Sequence, residues 1–248
     1  MPDTNTFLAF DNPWEVIALI GAIVCIRVAV PRIGPLSRWR AGILEFVDSG
    51  LIAALLVFCI LRPFVIQAFF IPSGSMQPTL HEGDRILVNK FIYFFREPRP
   101  EEIAVFNAPS QATPLNKDFI KRVVAGPGDR IFVDEEGRFW RNGQAIEEPY
   151  IAEPPDHPWP LGDRYVDLTT GEVFDFGIAE NDGHHYLQVP GDRFVVFGDN
   201  RNDSNDARRW DWPLSDGTYV NAPLLDRANV LGKAMVIFWP PQRMRIIR

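Results

Sequence analysis

The sequence is poor in cysteine, histidine and lysine, and each scarcity excludes something. Its two cysteines, Cys25 and Cys59, lie inside apolar runs. That leaves no disulfide framework and little basis for a cysteine-ligated metal site. The four histidines (His81, His157, His184 and His185) stand in segments without motif character and read as loop residues. Basic clusters and aromatic-plus-basic stripes are also missing, and the formal charge is -7. A nucleic-acid surface is therefore not expected, and neither is a metal or another cofactor. No apolar run reaches the roughly 18 unbroken residues that would by itself define a membrane span. The chain carries no Lys or Arg before Arg27, so the positive region of a cleavable signal peptide is lacking.

What the chain does have is 22 prolines and 18 glycines in 248 residues, a turn-rich composition that points to short β-elements. It also has two apolar stretches, Val16 to Ile26 and Leu51 to Leu61. With their edges, 14–31 and 46–66, each is long enough to span a bilayer, with Arg27 and Arg62 near the ends, where long side chains reach the headgroups. A pair of buried core helices is the alternative. Arg32, Arg38 and Arg40 lie between the stretches, whereas residues 1–13 carry only acids. The positive-inside rule then places 32–45 in the cytoplasm, and both the N-terminal tail and residues 67–248 outside it.

Beyond Ile66 the period changes to that of strands. Arg85 to Phe95, Phe119 to Val124, Arg130 to Val133, Arg193 to Phe197 and Lys233 to Trp239 are short and rich in β-branched and aromatic residues. Gly-Asp and Pro-Gly-Asp turns bound them. Asn142-Gly143 is the strongest short hairpin signal. The expected fold is mainly β: a coiled or closed antiparallel β domain anchored by two N-terminal transmembrane helices, with residues 135–189 as an irregular β insertion. The run Phe91 to Phe95 reads as core strand, with a role in dipping the domain into the bilayer as the other possibility.

Three segments carry chemistry. Ile71-Pro-Ser-Gly-Ser-Met-Gln-Pro-Thr-Leu80 frames two serines with prolines and a glycine. Such a turn can present a hydroxyl and backbone N–H groups to a reacting carbonyl, although a plain inter-strand turn explains the same composition. A serine nucleophile needs a base. Sequence leaves a histidine open, but Lys121 is the best placed of Lys90, Lys117, Lys121 and Lys233. Strand alternation puts it on one face with Phe119 and Val123, with Arg122 pointing the other way. Lowering a lysine pKa from about 10.4 to the 7–8 range costs roughly 3–5 kcal/mol. Apolar burial can supply that shift; a surface cation on an edge strand would not show it. The third segment, Gly198-Asp-Asn-Arg-Asn-Asp-Ser-Asn-Asp-Ala-Arg208, fails the EF-hand pattern, because Asn205 and Asp211 stand where Gly and Glu are required. It reads as a polar loop braced by carboxylate–arginine pairs among Asp199, Asp206, Arg201 and Arg208.

Taken together and in order, Pro72 to Leu80, Gly83-Asp84 with its following strand, Lys121 to Asp129, and Gly198 to Arg208 resemble the motifs of the bacterial type I signal peptidases. Gly232-Lys233-Ala234 also fits. The resemblance covers about 64–134 and 190–240. It implies Ser75 as nucleophile, Lys121 as general base, and Ser73 as an oxyanion-hole hydroxyl beside the Ser75 N–H. It further implies Ser204 as the residue that orients the lysine amine, Asp206 and Arg208 as a charge pair beneath the site, and Asp199 as a structural neighbour. Phe69, Ile71, Met76 and Ile120 correspond to small S1 and S3 pockets suited to Ala-x-Ala ends, with the substrate added as a strand. The implied partners are signal-peptide-bearing preproteins and membrane lipid. The implied place is the bacterial cytoplasmic membrane, multi-pass, with the catalytic domain on the periplasmic side. Two departures stand out: Asn202-Asp203 is reversed relative to the family's order, and Ala207 replaces a common serine. A peptidase of the same fold with a narrow, conjugative-pilin type of substrate, or a membrane-tethered binding domain without catalysis, are the other readings.

Overall fold

The computed structural model describes residues 13–29, 40–56, 66–115, 117–178 and 183–247. Two helices, α1 (Pro13–Ala29) and α2 (Arg40–Leu56), pack against each other and are joined by an Arg27–Asp48 ion pair. Val24, Ile26, Val28, Phe46 and Ile52 are exposed, so these are not buried core helices. No helix among the described residues is long and apolar enough to cross a membrane. Helix α2 begins at Arg40, inside the expected 32–45 loop, and residues 57–65 of the expected second span lie outside the described residues.

The strands are β1 (Ile66–Phe70), β2 (Arg85–Asn89), β3 (Ile103–Asn107), β4 (Asp118–Ala125), β5 (Arg130–Val133), β6 (Phe139–Arg141), β7 (Gln144–Ala145), β8 (Arg164–Asp167) and β9 (Glu172–Asp175). They continue with β10 (Gly177–Ile178), β11 (His185–Gln188), β12 (Arg193–Phe197), β13 (Asp211–Pro213), β14 (Tyr219–Asn221), β15 (Leu225–Asp226), β16 (Val230–Trp239) and β17 (Arg245–Ile246). An eight-stranded antiparallel sheet, ordered β1-β2-β16-β3-β4-β12-β15 with β17 beside β16, forms the body of the domain. Register shifts along β16 and β12 bend the strands and curl the sheet. It is coiled rather than closed, with β1 and β15 as its two edges.

This sheet is covered on both faces. In β3, Ala104 and Phe106 join one apolar cluster with Val123, Phe197 and Trp210. Ile103 and Val105 join a second with Phe69, Ile71, Met76, Leu80 and Ile86. A strand buried on both faces has no polar side, so β3 and β12 read as continuous apolar runs rather than alternating ones.

The short strands of the 135–189 segment pair with β5 in one sheet and with β13 and β14 in another. Strands β10-β11-β5-β6-β7 form one sheet, and β13-β14-β8-β9 form another. The β6–β7 hairpin turns at Asn142 and Gly143, whose φ values of 54° and 78° are both positive, as a type I′ turn requires.

The aromatic run departs from the sequence expectation. The strand stops at Asn89, and Phe91–Phe94 form a 3₁₀ turn. The Asn89 side chain accepts a hydrogen bond from the Ile92 N–H at 3.0 Å, a local bond that diverts the backbone from the ladder. Tyr93 is buried and Ile92 packs against the first apolar cluster, while Phe91, Phe94 and Phe95 are exposed.

Candidate active site

Ser75 lies in a 3₁₀ turn, Gly74–Met76, entered from the extended Ser73. The first N–H groups of such a turn have no partner within it, so they are available to an incoming oxyanion. Met76 is fully buried in the second apolar cluster and fixes the turn from below. Ser73 Oγ is 3.4 Å from Ser75 Oγ, which sets two hydroxyls side by side.

Lys121 lies on β4, opposite Ala104 of β3. It is only 4% exposed, and its Nζ is 2.6 Å from Ser75 Oγ and 5.7 Å from the centre of the Phe119 ring. Burial is the largest influence on this amine and lowers its pKa; Arg208 lowers it further, Asp206 and Asp199 oppose, and the balance is about 8. A buried amine of that pKa, touching a serine hydroxyl, can take the hydroxyl proton near neutral pH.

The third segment wraps this pair from behind. Asn200 N–H donates to Ser75 O at 3.2 Å and Asn200 Nδ2 to Gly74 O at 3.2 Å, so the loop is stapled to the nucleophile turn. The approach is close enough to require glycine at 198. A Cβ there would fall 2.5 Å from Ser75 O and 2.2 Å from Ser204 Oγ.

The carboxylates are satisfied, though not all by the partners expected. Arg208 holds Asp206 at 2.8 Å, and Gly198 N–H donates to the same carboxylate at 2.8 Å. Burial alone would raise the Asp206 carboxyl, but these contacts hold it below its usual range. Asp199 pairs with Arg122 of β4 at 2.8 and 2.6 Å, not with an arginine of its own loop, and accepts from Thr79 at 2.5 Å. Arg201 pairs with Glu148 of the inserted segment. Ser204 is buried, and its side chain helps hold the Asp206 carboxyl low; it does not make the bond to the lysine amine that the resemblance implies.

The structure therefore brings Ser73, Ser75, Lys121, Asp199, Ser204, Asp206 and Arg208 into one neighbourhood. Phe69, Ile71 and Met76 share an apolar cluster against which Ile120 packs. Sequence reasoning missed Arg122, Glu148 and Tyr150. The first stands next to Lys121 in an otherwise apolar strand, a signal that could have been read as a buried ion-pair partner. The other two lie in a Pro- and acid-rich stretch and carry no such signal.

A serine hydroxyl in contact with a buried amine, carried on a curled β domain, is the equipment of a serine hydrolase with a lysine base. Comparison with known proteins agrees. The family described as signal peptidase, peptidase S26, matches residues 43–239, and the chain belongs to that family. A signal peptidase I of Leptolyngbya laminosa is 38% identical over 188 residues, covering 74% of this chain and 74% of that protein. One from Pseudomonas aeruginosa is 32% identical over 211 residues, covering 77% of this chain and 71% of its own length. A crystal structure of a signal peptidase I from Enterococcus faecalis is 19% identical, covers 56% of this chain and 97% of its own, and superposes with a TM-score of 0.34.

The lowered pKa has a consequence for stability. Below pH 8 the Lys121 amine is charged in both states, and keeping it buried costs the folded state about 3 kcal/mol for a shift from 10.5 to about 8. Between those values the unfolded chain binds more protons, so stability rises with pH and the cost is gone above 10.5. Denaturant unfolding of Lys121→Met should therefore show a gain of up to about 3 kcal/mol at pH 7 that shrinks above pH 8. A difference constant with pH would mean that the amine titrates normally.

Proposed function

We infer that this protein is a membrane-anchored serine endopeptidase that removes N-terminal signal peptides from exported preproteins, with Ser75 as nucleophile and Lys121 as general base. The observation that carries the assignment of roles is the 2.6 Å contact between Ser75 Oγ and the buried Lys121 Nζ; membership of the signal peptidase family supplies the reaction.

In this reading neutral Lys121 accepts the Ser75 proton as the oxygen attacks the scissile carbonyl. The carbonyl oxygen becomes an oxyanion, held by the Ser75 N–H and the Ser73 hydroxyl. Collapse breaks the C–N bond, Lys121 returns the proton to the leaving amine, and an ester to Ser75 remains. Lys121 then deprotonates water, which attacks the ester and releases the signal-peptide carboxylate and the Ser75 hydroxyl. Asp206 and Arg208 brace the loop, and Ser204 acts on it through Asp206.

In this reading Phe69, Ile71, Met76 and Ile120, which share one apolar cluster, line the pockets that take small P1 and P3 side chains of the Ala-x-Ala type. The open edge at β1 supports docking of an extended substrate as an added strand.

The anchor is argued from exposure and charge. The apolar side chains on α1 and α2 face outward, which in water would be unfavourable. Their charged pair, Arg27 with Asp48, is the compensation that ionisable groups find within a bilayer. With basic residues concentrated between the helices, the catalytic domain belongs on the periplasmic side of the cytoplasmic membrane. Phe94 and Phe95, 71% and 73% exposed, are suited to dip into that surface.

Two measurements test the reading. Detergent-solubilised protein should cut a preprotein directly after its Ala-x-Ala site, and Ser75→Ala or Lys121→Ala should lower kcat by about 10⁴-fold or more. Cleavage surviving in Lys121→Ala would move the base elsewhere. The pH dependence of kcat/KM should rise through a limb near pH 8, the pKa of the free enzyme's lysine. A limb below pH 7 would point to a histidine.

A further inference from the structure

The inserted segment reaches the catalytic neighbourhood at Glu148-Pro-Tyr150, just past the β6–β7 hairpin. The chain is delivered there by the hairpin: Ile146 N–H still donates to Phe139 O at 2.8 Å, after which Pro149 turns it inward. The Glu148 side chain is only 4% exposed and receives both arms of Arg201, which is itself fully buried. The two bonds measure 2.8 and 2.6 Å. Arg201 Nε then donates to Gly198 O at 3.0 Å. Tyr150 OH donates to the same Glu148 carboxylate at 2.8 Å, while its ring lies 3.8 Å from the Arg122 guanidinium carbon. Arg122 follows Lys121 on β4 and holds Asp199 through two bonds.

One carboxylate and one ring therefore set two of the three guanidiniums beside the site, Arg201 and Arg122. The loop they fix carries Gly198, on which no side chain fits, and Asn200, which holds the Ser75 carbonyl. Without Glu148 the Arg201 head loses the carboxylate that fixes it, and its bond to Gly198 O, one of the bonds behind the Ser75 turn, is no longer constrained from that side. The segment is tied to this loop at a second point, where Asn202 accepts from Asp156 N–H at 3.0 Å and donates to Pro154 O at 3.2 Å. Asn202 is one of the positions at which the chain departs from the family's order.

We propose that Glu148 and Tyr150 are positioning residues for the Ser75–Lys121 pair, so that the inserted segment sets the geometry of the catalytic loop. The proposal rests on the proposed peptidase mechanism for its kinetic readout, and on the titration of Lys121 for a readout independent of substrate. The charged groups acting on that amine are Asp206, Asp199 and Arg208. Removing the Glu148 charge leaves the Arg201 cation uncompensated next to Asp206, which offsets the carboxylates that favour the lysine cation. The Lys121 titration then moves to lower pH.

The test compares wild type with Glu148→Gln and Tyr150→Phe on a preprotein substrate, below the unfolding temperature of each. It also follows the side-chain NMR titration of the lysine amines. Glu148→Gln should lower kcat by about 10- to 100-fold, the size of a misplacement of the order of 1 Å. KM should be unchanged, and the Lys121 titration should shift downward. Tyr150→Phe keeps the ring over Arg122 and the Glu148 charge and loses only the bond to Glu148, so it should lower kcat a few-fold with KM unchanged; it also serves if Glu148→Gln does not fold. A lower melting temperature with unchanged kcat and unchanged Lys121 titration would overturn the proposal, because it would make these residues structural only. If wild type cleaved no preprotein, the peptidase reading would fail, and the Lys121 titration in Glu148→Gln would still decide the positioning role.

Discussion

The structure depends on keeping one amine out of water. Lys121 stands buried on a strand of a sheet covered on both faces, and that burial outweighs two nearby carboxylates in setting its pKa. An exposed lysine of ordinary pKa is almost entirely protonated at neutral pH and accepts no proton from serine. The double-sided sheet is thus the condition for the chemistry as well as its scaffold. The same burial lowers stability below pH 8, a local loss of the kind found at sites built for function.

A dry site also forces every neighbouring charge to find a partner. Removing one member of a buried ion pair typically costs about 3–5 kcal/mol, and the pairs here are complete: Asp199 with Arg122, Asp206 with Arg208, Glu148 with Arg201. They also form a connected path. Arg201 bridges the inserted segment and Gly198, Arg208 donates to Arg201 O at 2.7 Å, and Asn200 joins the whole to the Ser75 turn. Electrostatic compensation and positioning of the nucleophile are here the same set of bonds.

Much of this was legible in the residues. Arg130–Val133 and Arg193–Phe197 form strands over the ranges their β-branched runs define, because buried strands need no interruption by polar residues. Asn142-Gly143 forms its hairpin because the turn demands two positive φ values. The contact of Ser75 with Lys121 spans 46 residues and was readable only through the ordered motifs; periodicity alone offered a turn and a lysine on a strand. Of the partners of the buried acids, Arg208 of Asp206 was readable from the loop itself; the others were not. Asp199 and Arg122 are 77 residues apart, and Glu148 and Arg201 are 53, and side-chain pairing over such separations leaves no local pattern. The Phe91–Phe95 run was misassigned because one side chain, Asn89, competes with the ladder for the backbone. β propensity does not register such a competition.

The most direct test is the titration of Lys121 itself, followed through its side-chain nitrogen by NMR in the wild-type protein without substrate. With only four lysines in the chain, the Lys121 signal can be assigned by its loss in Lys121→Met. A midpoint near pH 8 is predicted. A Lys121 midpoint above pH 10 would leave Ser75 without a base at neutral pH and would contradict the account.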